Sequence, residues 1–140
     1  MGRDGVYTPQ VVINGRVEGD GLSSSELAGL MSRGDRGAGG PVVGFAGGAV
    51  SVGAGAAPAG GCDVWLARYD PHIVEVAIKR GENAGRTLPH KDIVHEMILL
   101  GHWNGQAAAF PLPAGGEQTF AEAAIVQAAG SGPILAAARQ

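Results

Sequence analysis

Apolar and polar positions change their period along the 140 residues, and each change marks an element. Val11-Val12-Ile13 and Val17 flank Asn14-Gly15, a dipeptide suited to the two positive φ angles of a type I′ turn, so residues 6–19 read as a β-hairpin. Leu27, Leu30 and Met31 then recur at helical spacing, one apolar stripe behind Ser23-Ser24-Ser25-Glu26. That tetrapeptide is a capping box, in which the Ser23 hydroxyl accepts from the N3 amide while Glu26 reaches back. Gly34 closes the helix. Beyond the glycine linker 34–40 the helical period disappears. Pro41–Phe45 and Ala49–Val52 are short strands joined by Gly47-Gly48, and 54–61 is a loop of small residues. Cys62–Tyr69 is a strand with apolar residues on both faces, and Asp70-Pro71 turns the chain. Val74, Val76 and Ile78 alternate with Glu75, Ala77 and Lys79 in a half-exposed strand, followed by a polar loop at Gly81–Pro89. Ile93–Leu100 reads as a strand with a helix as the alternative, and the same alternative stands for the alanine-rich runs Ala121–Ala129 and Pro133–Ala138. The fold class is α+β and mostly β: a hairpin and helix over 1–36, then an antiparallel β-sandwich-like domain over 37–140.

Composition narrows the function. The net charge of −3 and the pI of about 5.7 carry no basic footprint for nucleic acid. The 25 glycines exceed the average of about 7% more than twofold, and only 3 Phe, 2 Trp and 2 Tyr are present, so Val, Ile, Leu and Ala build the core. One cysteine, Cys62, excludes an internal disulfide and a Cys-x-x-Cys pair. No run of 18 apolar residues is present, so no membrane span is expected. The charges Arg3, Asp4, Arg16 and Glu18 are unlike a signal peptide, which places the chain as written in the cytoplasm.

Candidate chemistry is sparse. Arg80, Glu82, Asn83 and Arg86 form a charged loop: two arginines suited to a carboxylate or phosphate, or a structured loop whose Glu82 neutralises them. Its glycine spacing is not that of a P-loop. His72, His90, His95 and His102 lack the convergent spacing of a metal site. His95 and His102 are seven apart, on opposite faces of a strand or on one face of a helix. Cys62 has no adjacent histidine and reads as a small apolar residue. Ser131, in Gly130-Ser131-Gly132, lacks the nucleophile elbow and reads as a turn residue. No catalytic residue, metal or cofactor is expected.

Two motifs in order bring a resemblance. Val6-Tyr7-Thr8-Pro9-Gln10-Val11-Val12-Ile13-Asn14-Gly15-Arg16, with Arg80-Gly81-Glu82-Asn83-Ala84-Gly85-Arg86-Thr87-Leu88, resembles domain-of-unknown-function family 1223, bacterial secreted, thioredoxin-like proteins. The resemblance covers nearly the whole chain. It implies that residues 1–36 are the C-terminal part of a thioredoxin-like domain whose Cys-x-x-Cys segment lies upstream. It also implies a cis bond at Thr8-Pro9, with both residues facing a substrate chain, and a periplasmic or secreted address. The expectation is a C-terminal portion without redox activity of its own. The alternative is a non-enzymatic binding or assembly module, with a second copy or another protein covering the hairpin's apolar face.

Overall fold

The computed structural model describes residues 10–81, 83–116 and 119–140. The hairpin is present as β1 (Val11–Ile13) and β2 (Val17–Gly19), antiparallel, with Val12 opposite Glu18. Asn14 and Gly15 lie at φ 50° and 63°, and the Arg16 amide donates to the Ile13 carbonyl at 2.9 Å, the geometry the dipeptide predicts. Helix α1 (Ser24–Gly34) starts where its cap requires. The Glu26 amide donates to Ser23 Oγ at 3.2 Å, and the Glu26 carboxylate reaches one residue further back than the motif prescribes, accepting from the Leu22 amide at 3.1 Å. Such a cap stabilises a helix by about 1 kcal/mol.

The helix meets the hairpin through Leu30 and Gly34, not through the whole predicted stripe. Leu30 is buried over Gly19, and a Cβ at Gly34 would stand 2.6 Å from Ile13, so the close approach excludes a side chain there. Leu27 and Met31, the rest of the apolar stripe, remain exposed. The two residues lean one step around the helix from the side that faces two short strands, and two strands of three residues cannot cover that arc.

Residues 41 onward build two packed sheets. Strands β3 (Val43–Ala46), β4 (Ala49–Val52) and β9 (Ala108–Pro111) form one, in the order β3-β4-β9. Strands β5 (Cys62–Asp70), β8 (Ile93–Trp103), β10 (Ala121–Ala128) and β11 (Ile134–Arg139) form the other, in the order β11-β10-β5-β8. All pairings are antiparallel. One core joins them: Val50 and Val52 from the first sheet meet Cys62, Val64, Trp103, Ala124 and Val126 from the second. The sheets also touch at both edges, β11 against β3 and β8 against β9. At the second seam a Cβ on Gly101 would stand 2.8 Å from the Phe110 ring, so glycine lets the aromatic side chain lie on the strand backbone.

The alanine-rich runs are strands because each pairs on both flanks or closes a seam, and ladder bonds outweigh alanine's helix preference. Thr87–His90, placed in a polar loop by sequence, is instead strand β7, paired with β6 (Val74–Ala77), Pro89 opposite Glu75. A proline on the edge of a two-stranded ribbon costs no ladder bond on its outer side. Strand β9 was not marked by the sequence pattern at all. The ribbon β6–β7 continues the β5–β8 hairpin outward as an arm, packed on itself and without extensive contact to a third element.

Candidate functional site

The four-stranded sheet has a second face. On β5 the alternation sends Cys62, Val64 and Leu66 into the core and Trp65, Ala67 and Tyr69 outward. Across the strands, Trp65 lies beside Leu99 and Ile125, Ala67 beside Met97 and Ala123, and Tyr69 beside Val94 and Ala121. Val94, Met97 and Leu99 are each just over half exposed. An open groove of about 490 Å³ crosses this face, floored by Ala67, Ala123 and Ala137 and walled by Tyr69, Val94 and Ile125. Arg139, on strand β11, and Asp92, just before strand β8, close its two ends. Asp92 sits at φ 56° in the tight link from β7, a conformation aspartate tolerates, and this turn sets it at the rim. No motif announced the groove. Its signal was weak: alanines among the outward positions of three strands, beside large apolar residues on the fourth.

A second cluster lies at the end of the core. Arg68 takes the inward phase of β5 after Leu66 and is buried. Its Nε donates to Glu122 at 2.9 Å, Nη1 to Glu96 at 3.0 Å and Nη2 to the Pro113 carbonyl at 2.7 Å. The Glu122 hydrogen bond, more than Glu96, holds the guanidinium charged against the opposing cost of burial. Gly116, at φ 93°, lies so close over the guanidinium that a Cβ would stand 2.9 Å from Nε. Its hydrogen-bond partners among the described residues are two carboxylates and one backbone carbonyl, so the cluster is an internal tie. Sequence reading missed it, although an arginine in the buried phase of a strand calls for carboxylates on its neighbours.

The residues singled out by sequence do not converge. Thr8 and Pro9 lie outside the described residues, as does Glu82. Arg80 and Arg86 are exposed at the tip of the β6–β7 arm, where Arg86 donates to Asn83 Oδ1 at 3.0 Å and Gly81 and Gly85 carry positive φ. His72 bonds Asp70 at 2.8 Å, and the His72 amide and then its ring hold the Asp70 carboxyl below the usual carboxylate range. His90 bonds the Leu88 carbonyl, His95 stacks on Phe120 with centroids 4.4 Å apart, and His102 lies 3.3 Å from Asp63. Strand β8 therefore separates His95 from His102 along its length, and the described residues hold no group of three metal-ligating side chains. Cys62 is buried in the core, and burial followed by the Asp63 charge pushes its thiol up. Ser131 sits at φ 62° in the β10–β11 turn, as expected of a turn residue.

The chain is similar along nearly its whole length to a crystal structure of a protein from Agrobacterium tumefaciens. The two share 25% identity and superpose with a TM-score of 0.70, the match covering 98% of this chain and 63% of that one. This chain thus spans less than two thirds of that protein's length. No curated protein matches it. A family model described as protein of unknown function (DUF1223) matches residues 1–127. The chain belongs to the DUF1223 family.

Proposed function

We propose that this chain is a non-enzymatic binding and assembly module, the C-terminal portion of a thioredoxin-like architecture, with no thiol–disulfide exchange of its own. The observation that carries the reading is Cys62. It is the chain's one thiol, it lies in the core, and burial pushes its pKa up. Exchange requires an accessible thiolate and a second thiol to resolve the mixed disulfide. The hairpin and helix support the thioredoxin-like part. Helix α1 covers one face of the hairpin through Leu30, while Val12 on the other face and Leu27 and Met31 beside it stay open. In this reading the hairpin and helix dock there against the remainder of a thioredoxin-like sheet. That remainder also carries the cysteine pair and the secretory or periplasmic address, and residues 37–140 are the platform on which the unit stands.

The test is reduction of insulin by dithiothreitol in the presence of the chain, with Ellman's reagent on the same sample. The expected result is the uncatalysed rate and a thiol that reacts only after denaturation. Turnover above that rate, or immediate labelling of native Cys62, overturns the proposal.

A second reading rests on the arm. Arg80 is exposed and Arg86 is oriented by Asn83, which favours an anion contact at the tip, with Glu82 and Asn83 in the same loop.

A further inference from the structure

The outer face of the four-stranded sheet joins Trp65, Tyr69, Val94, Met97, Leu99 and Ile125 into one contiguous apolar surface. Single exposed apolar residues need no explanation, but a continuous patch of this kind marks an interaction site. Two charges stand at diagonal ends of the groove that crosses it, Arg139 on β11 and Asp92 before β8, and neither makes an ion pair among the described residues.

We propose that this face packs on the same face of a second copy, about a two-fold axis lying in the plane of the sheet. The register supports it. Arg139 lies level with Ala67, and Asp92 lies one step beyond the Asp70–Ile93 pair, with β10 and β5 between their strands. With strands about 4.8 Å apart and residues about 3.3 Å apart along them, the two charges are roughly 20 Å from each other. A two-fold axis at right angles to that diagonal, through its midpoint, sets each Arg139 over the opposite copy's Asp92. The same axis passes by Met97, which meets its own counterpart, and brings Val94 above the alanine floor of the facing groove. An isologous contact must be complementary to itself, and this face offers cation to anion and a projecting valine to a hollow. The inference uses none of the hairpin's residues and stands apart from the thioredoxin-like reading. A small apolar ligand or a different protein in the groove would leave the chain monomeric.

Sedimentation velocity of the whole chain decides it. The expected species at high concentration has twice the 14.0 kDa chain mass. Met97→Glu sets two carboxylates together on the axis and is expected to abolish that species. Arg139→Glu and Asp92→Arg are each expected to weaken it about tenfold, and the combined charge swap to restore it to within about threefold. Met31→Glu, on the helix, is expected to leave it unchanged. A chain of single mass at about 0.5 mM overturns the proposal, because a face built for self-association should pair well below that concentration. So does a charge swap no better than its parts, or loss of the dimer by Met31→Glu with Met97→Glu unaffected. Should Met97→Glu fail to fold, judged by far-ultraviolet circular dichroism, the three charge variants still decide.

Discussion

Arg68 shows what one residue does when burial and charge compete. Its guanidinium is buried, Glu122 is mostly covered and Glu96 is nearly half exposed. Arg68→Ala leaves the mostly covered Glu122 without its cation, and the expected loss of stability is about 3 kcal/mol in urea unfolding. Glu96→Gln removes a charge already screened by water and is expected to cost less than about 1 kcal/mol. Equal losses for the two variants would show that the tie is not graded by burial. The residue scale was also the least legible from sequence. Cys62 and Ser131 stand where their neighbours in sequence suggested, but Arg68, and Asp92 and Arg139 at the rim of one groove, draw their meaning from residues far along the chain. Pairings of that kind leave no short-range spacing to find.

At the scale of elements, the strong local signals agree with the structure. Asn14-Gly15, Gly47-Gly48 and the Ser23 cap each specify a backbone geometry through their own chemistry, and each is present. Strands β7 and β9 lack such signals. Thr87–His90 contains a proline and a histidine, and Ala108–Pro111 is half alanine, so only their partners make them strands. The anion reading belongs to the arm that β6 and β7 form, whose tip carries the exposed Arg80 and Arg86. If Arg80 and Arg86 hold an anion, inorganic phosphate or sulfate should raise the melting temperature of the chain, and Arg80→Ala with Arg86→Ala should abolish that rise. A rise that persists in the double variant ends the anion reading.

For the whole molecule, the mostly β class with several antiparallel sheets was legible, because turn signals at short intervals leave room for little else. What sequence did not reveal was the closure: β3 against β11 and β9 against β8 bend two sheets around one core, and the β3–β11 seam joins the first and last strands of the two sheets. That closure gives the four-stranded sheet an inside and an outside, with one tryptophan on each. Trp103 is 1% exposed among the core residues, whereas Trp65 is only partly covered on the outer face. The protein therefore carries two intrinsic optical probes that report different events. Dilution of a self-associated sample should shift the fluorescence of Trp65 alone, so that Trp65→Phe silences the change while Trp103 still registers denaturation. If the dilution signal survives in Trp65→Phe, it does not arise from the outer face.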